Sequence, residues 1–294
     1  MVKRKYNKKK RVARKPKSVP RSNYRSTIPR TIQIATKRNK NMKLKFTLNQ
    51  TWLVDPSKLA NPNDTAVLSY RANSIFQSHM PTAATATAAA FVSQDPALYN
   101  NNGQAVPLIQ QSADGFDTWS SRFQHFTVTG SKITYTFEPY STGAPSILCS
   151  HVSGVSGAIQ ASTSAVRLNA LPYTTRHSIV PQAVTSGIFA ATGLRGSRTY
   201  SARAFEGVVD PVDNSNLRGR FANSLLTPPV TGASPSEQSF FYIAIAPIDP
   251  ATTVSSGQGV LRVKIEYIAH LREPTESNQV QMQTTGTADA AHEL

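Results

Sequence analysis

Residues 42–54 read Met-Lys-Leu-Lys-Phe-Thr-Leu-Asn-Gln-Thr-Trp-Leu-Val. Met42, Leu44, Phe46, Leu48, Trp52 and Val54 fall on one side of a period of two, and Lys43, Lys45, Thr47, Asn49 and Thr51 on the other; only Gln50 breaks the alternation. Successive side chains of an extended chain point to opposite faces, so this stretch predicts a half-buried β-strand. The same period returns late in the chain, where Leu261, Val263, Ile265 and Tyr267 alternate with Arg262, Lys264 and Glu266.

Between these two strands the pattern predicts several more. Leu68, Tyr70 and Ala72 alternate within 67–76. In 123–137, Phe126 and Val128 keep one phase and Ile133, Tyr135 and Phe137 the other; the slip at Gly130-Ser131 predicts a β-bulge. Residues 146–152 predict another strand, and 173–180 and 198–205 weaker ones. The continuous apolar run at 239–246 suits a central strand. Residues 77–122 read as a long insertion, with an Ala/Thr tract at 82–90, three prolines and the turn-prone Asn100-Asn101-Asn102-Gly103. Residues 153–170 and 206–237 also read as loops, and nothing reads as a long amphipathic helix or a solenoid repeat. About eight strands joined by long irregular loops imply an all-β sandwich or jelly roll.

Charge is distributed unevenly. The net charge is +16, yet 18 of the 32 Lys and Arg lie in residues 1–45, and the first acidic residue is Asp55. Residues 46–294 carry 14 basic and 16 acidic groups, a net of −2. Residues 1–40 are rich in Lys, Arg, Asn, Ser and Pro. They cannot bury enough apolar area to offset their ordering entropy, so they are expected to form a disordered arm. Fully extended, the arm reaches roughly 130 Å at about 3.3 Å per residue. The expected organisation is this arm, a folded domain over 41–274, and a polar tail over 275–294.

Lys3, Arg4, Lys5, Lys8, Lys9, Lys10, Arg11, Arg14, Lys15, Lys17, Arg21, Arg25, Arg30, Lys37, Arg38 and Lys40 are the expected nucleic-acid-binding residues. Each cation that neutralises a phosphate releases a condensed counterion, so binding is expected to be sequence-blind and strongly salt-dependent. Tyr6 and Tyr24 lie among them and could stack on unpaired bases or be incidental. The cluster from Lys8 to Lys17 also fits a nuclear localisation signal.

Other chemistries find little support. Cys149 is the lone cysteine, which excludes an intrachain disulfide and a cysteine metal site. No apolar run reaches the roughly 18 residues of a membrane helix, and the basic start is not followed by the apolar stretch of a signal peptide. The prolines at 16, 20 and 29 would break the amphipathic helix of a mitochondrial transit peptide. The six histidines (79, 125, 151, 177, 270 and 292) show no metal-ligand spacing, and no nucleophile elbow, Walker loop or dinucleotide fingerprint occurs. No catalytic residue, metal or cofactor is therefore expected, and no enzyme activity. Two glycosylation sequons, at Asn49 and Asn63, read as chance matches. Trp52 and Trp119 are expected in the core or at a subunit contact.

Several segments, in order, resemble the capsid proteins of circular Rep-encoding single-stranded DNA viruses, the circovirus-like group. They are Tyr70-Arg71-Ala72-Asn73-Ser74-Ile75-Phe76, then Gly115-Phe116-Asp117-Thr118-Trp119, then Phe123 through Val128-Thr129-Gly130-Ser131-Lys132-Ile133, and finally Val263-Lys264-Ile265-Glu266-Tyr267 with Glu273-Pro274. Together they cover about half of the body. Gln77-Ser78 departs from the family's continuation of the first motif, and the early arm is richer in Lys than in circoviruses proper, so the likeness is to the wider group. It implies a single eight-stranded antiparallel jelly roll of the viral capsid type. It further implies a homo-oligomeric icosahedral shell of on the order of sixty copies, arms inward around single-stranded DNA, assembled in the host nucleus, with no membrane partner. The alternatives are an RNA virus jelly-roll coat protein, a ribosomal or chromatin protein, and a cupin-type enzyme or lectin. The last would need a clustered His/Glu site.

Overall fold

The structure, a computed structural model of the chain, describes residues 41–59, 61, 64–80, 90–92, 111–140, 145–180, 193–222, 231–248 and 257–274. The chain divides into two units, Met1–Arg38 and Asn39–Leu294, and every described residue belongs to the second. Eleven strands are described: β1 (Asn41–Val54), β2 (Ala66–Arg71), β3 (His79–Met80), β4 (Phe91–Val92), β5 (Phe123–Pro139), β6 (Ser146–Ser153), β7 (Thr174–Ile179), β8 (Leu194–Ser201), β9 (Arg218–Arg220), β10 (Phe240–Pro247) and β11 (Gly259–Pro274). One sheet runs β4-β1-β11-β5-β8, with β9 pairing β5; the other runs β3-β2-β10-β6-β7. Neighbouring strands pair antiparallel throughout both sheets.

Set aside the short β3, β4 and β9, and eight principal strands remain. The first pairs with the last, the second with the seventh, the third with the sixth and the fourth with the fifth. This nested pairing, folded over into two facing sheets, is the jelly roll.

The facing sheets enclose one large apolar cluster. β1 contributes Phe46, Leu48, Trp52 and Val54, as its period of two requires, and β11 contributes Leu261, Val263, Ile265, Tyr267, Ala269 and Leu271. Gln50 lies on the same inward face and is only 6 % exposed. Buried amides need partners, and Gln50 has them: Tyr70 Oη donates to its Oε1 and its Nε2 donates to Gln111. The expected bulge is present. Gly130 pairs with Ile268 and Val128 with Ala269, which leaves Thr129 as the extra residue and switches the buried phase of β5.

A second apolar cluster lies on the outer face of the other sheet. Val67, Ile147, Cys149, Phe240, Tyr242 and Ala244 are covered there by Ile159, Ala165 and Leu168. This explains the unbroken apolar run of β10, whose alternate residues enter different cores.

Some boundaries differ from the sequence expectations. β2 stops at Arg71 rather than 76, because Asn73 turns to the backbone of Glu237 and Ser239, and Ser74 Oγ accepts from the Phe76 amide. Both faces of β2 are buried, where alternation implied one. The 77–122 insertion contains β3, β4 and a short helix, Phe116–Ser120. The 153–170 loop contains a helix, Ala165–Ala170, whose Ser164 N-cap accepts from Arg167 and whose Leu168 anchors it. β8 begins four residues before the expected 198 and gives way to a helix at Ala202–Phe205. Residues 206–237 hold a 3-10 turn at Ser215–Leu217 and β9. Most of the Ala/Thr tract, the 100–103 turn, Asn63 and the 275–294 tail lie outside the described residues.

Two glycines in the first sheet are required by close approach. Gly196 pairs with Tyr135 and Gly219 with Phe126. A Cβ at Gly196 would stand 2.1 Å from Tyr135 Oη, and one at Gly219 2.2 Å from the Phe126 ring. The rings lie across the glycines, which is how aromatic side chains shield a bare backbone in a sheet.

Candidate nucleic-acid interface

All sixteen expected nucleic-acid-binding residues, from Lys3 to Lys40, lie outside the described residues, as do Tyr6 and Tyr24. The described chain starts where they end. β1 begins at Asn41, which pairs with Arg272, and the next outward residues are Lys43, opposite His270, and Lys45, opposite Ile268. Lys45 Nζ lies 2.6 Å from Glu266, and Lys264 Nζ lies 3.1 Å from the same carboxylate. Hydrogen bonds from Lys45 and Lys264 hold Glu266 below the usual carboxylate range. His270 sits below the usual imidazole value through burial first, then through Lys43 and Arg272. Protonating it there would place a charge in a partly buried site beside Lys43 and Arg272, which Asp210 offsets in part.

More cations come to the same outer face. Lys132, Arg195, Arg262 and Lys264 project from β5, β8 and β11 beside Lys43 and Lys45. A balance of charge taken segment by segment gives these residues no role. The alternation along each strand carries the signal that they share a face, but the strand order that brings them together does not show in the linear sequence.

No protein-family profile matches the sequence, and no curated protein matches it. Solved structures do. Desmodium yellow mottle tymovirus is 9% identical over 80% of this chain and 89% of its own, with a TM-score of 0.34. Cocksfoot mottle virus is 9% identical over 81% of this chain and 99% of its own, at 0.37. Tobacco necrosis virus is 10% identical over 80% of this chain and 100% of its own, at 0.34. At these values the jelly roll rests on the strand pairing of the chain itself.

The described histidines are dispersed. His79 packs against Trp52 and Tyr70, with ring centroids 5.3 and 5.2 Å away. His125 Nδ1 is 2.9 Å from Glu273, and His151 contacts Thr174 Oγ1 at 3.1 Å and stacks on Tyr242. His177 meets Tyr135 edge-on. Among the described residues no three His, Cys, Asp or Glu gather as metal ligands, and no helix is long and apolar enough to cross a membrane. Cys149 is buried in the second apolar cluster, and desolvation pushes its thiol up to about 12. Trp52 is a core residue, whereas Trp119 is partly buried at the end of its helix, with the Arg122 guanidinium 5.4 Å from its ring.

Proposed function

We propose that this chain is a capsid protein. Its jelly-roll unit tiles with copies of itself into a closed icosahedral shell, and its cationic leader packages the genome, single-stranded DNA as the resemblance to the circovirus-like group implies. One observation carries the reading: residues 1–40 hold 16 Lys and Arg and no acid, while residues 41–294 hold 16 of each sign. A leader of that composition seeks a polyanion. The balanced body it is joined to has two facing sheets and its own core. On the order of sixty leaders would gather about a thousand positive charges, enough to screen much of a small genome. Ribosomal and chromatin proteins usually spread their charge over the folded part, whereas residues 46–294 of this chain net −2.

The protein acts as a structural component of a virion rather than as an enzyme. The Lys8 to Lys17 cluster would direct it to the host nucleus, where assembly takes place. Exposed apolar side chains suit contacts between copies, Val166 at 79% and Tyr173 at 73% exposed among them.

The test is deletion of residues 1–40. The shortened chain should remain folded and lose bound nucleic acid, read as a fall in the 260/280 nm absorbance ratio of purified particles. An unchanged ratio removes the leader from packaging. Light scattering of the full chain should report a very large closed particle. A mass near the 31.9 kDa monomer under assembly conditions rejects the capsid reading. Treating nucleic acid extracted from virions with DNase or RNase separates a DNA genome from an RNA one.

A further inference from the structure

The two sheets treat their outer faces in opposite ways. In the second sheet, Ile159, Ala165 and Leu168 cover the outward side chains, and Tyr242 Oη fastens that cover by donating to Val155 O at 2.8 Å and accepting from Gly157 N at 2.9 Å. The first sheet carries no such apolar cover among the described residues, and its outward side chains are mostly polar, with Leu53 and Ile268 standing exposed among them.

The register fixes how they are arranged. Thr51, Arg262, Thr136 and Arg195 form one cross-strand row; Asn49, Lys264, Thr134 and Ser197 form the next; Thr47, Glu266, Lys132 and Thr199 form a third. Lys45 and Lys43 follow along β1. Six cations thus stand in or beside these rows, against Glu138 and Glu266. Both carboxylates are already paired, Glu138 with Arg262 and Glu266 with Lys45 and Lys264. Among the described residues, Lys43, Lys132 and Arg195 have no ion-pair partner.

The surplus is local. Asp114 borders the face beside Thr47. Where β9 joins, Arg272 meets Asp213, Arg218 meets Glu273, and Asp210 lies near His270, so that end is close to balance.

The side chains among these cations are Thr, Ser and Asn, which donate to phosphate and sugar oxygens. No Phe, Tyr or Trp stands in the three rows, so they offer nothing for bases to stack on. We infer that this outer sheet face is a second nucleic-acid contact, gripping the phosphate backbone of a single strand without reading its bases. The inference rests on the proposed packaging role. β1 brings the chain from the cationic leader directly onto this face, with Lys43 and Lys45 as its first two cations.

The experiment measures the salt dependence of binding to oligo(dT) by the full chain. One variant carries Lys43→Gln, Lys132→Gln, Arg195→Gln and Lys264→Gln together, all at exposed positions. A comparison variant neutralises Lys8, Lys9, Lys10 and Arg11 in the leader. Each phosphate contact removed should lower the slope of log K against log salt by about 0.7, so the sheet variant should lose about two to three. A loss in the leader variant alone overturns the inference and leaves the leader's role intact. No loss in either variant overturns both.

Acetylation of the unsubstituted protein, read by mass spectrometry, serves if the sheet variant does not fold. Oligo(dT) should protect Lys132 and Lys264 from reagent. Equal labelling with and without oligo(dT) overturns the inference. So does protection in assembled particles freed of nucleic acid, which assigns the face to a second copy of the chain.

Discussion

The Tyr70 hydroxyl donates to Gln50 Oε1 at 2.9 Å, joining β2 of one sheet to β1 of the other through the middle of the core. The same hydroxyl accepts from Trp52 Nε1 at 3.0 Å, and Gln50 Nε2 passes the chain of bonds on to Gln111 Oε1 at 2.6 Å. Further sheet-to-sheet polar links are Tyr267 Oη, which donates to Arg71 O at 2.9 Å, and the contact between Tyr135 Oη and Ser150 Oγ at 3.0 Å. Burial raises the pKa of all three tyrosines, so each keeps its proton and can donate it.

Tyr70→Phe should destabilise the domain by about 1–3 kcal/mol, because it leaves the Trp52 indole N–H and Gln50 Oε1 without their partner. Combined with Gln50→Leu, the loss should be smaller than the sum of the two single losses, since the pair shares one bond. Urea midpoints of the four proteins measure this; strict additivity would show that the network is not coupled.

Tyr135 is 1% exposed and its ring lies across Gly196. Tyr135→Asp should cost several kcal/mol, as a lone buried carboxylate must be desolvated or take up a proton. Gly196→Ala should also destabilise, by about 1–3 kcal/mol, because the new methyl group displaces the ring. Thermal melting reads both. A fully stable Tyr135→Asp protein would contradict the inward phase of β5.

Acid should weaken the fold through histidine. His151 lies below the ordinary imidazole value of 6.5, chiefly because it is buried, with Arg198 nearby adding to the effect, and His270 is lowered in the same direction. A lowered folded value means that the unfolded chain binds more protons between the two values, so stability rises with pH there. Their contribution is fully present above about pH 6.5 and is lost as pH falls through the lowered folded values. The urea midpoint should therefore drop on acidification, and His151→Gln should flatten the drop. An equal drop in the variant would remove His151 from the effect.

Cys149 should be silent towards thiol reagents while the domain is folded. It is buried, and its thiol, pushed up to about 12, holds almost no thiolate near neutral pH. Ellman's reagent should react only on unfolding. Prompt reaction with native protein would mean that the cover over the second cluster opens readily.

The strands that are half-buried and regular are legible in the residues. β1 and β11 show a period of two because each has one face in the core and one in solvent. The bulge in β5 is legible as a change of phase, one residue from where the register places it. The start of β8 is hard to read because its inward positions are Leu194, Gly196, Arg198 and Tyr200, only two of which are large and apolar. The helix at Ala165–Ala170 leaves no mark in the pattern because six residues are too few to establish a 3.6 period. Of the candidate interface, the leader is legible as composition. The cationic sheet face is not, because its members lie far apart in sequence and meet only through the pairings of β1 with β11, β11 with β5 and β5 with β8.

That pairing has a cost during synthesis. Across β1 and β11, 14 residue pairs run from Asn41–Arg272 to Val54–Gly259, so the opening strand of the domain finds its full-length neighbour in the closing one, β4 pairing only with Leu53 and Val54. At a ribosomal pace of about 5–20 residues per second, the nascent chain carries Phe46, Leu48, Trp52 and Val54 without that neighbour for roughly 10–40 s. Until the last strand emerges, a greasy edge waits beside a polycationic leader. Emergence of β11 thereby acts as a timer on folding, and a chain cut short before residue 259 would be left prone to aggregation rather than competent to assemble.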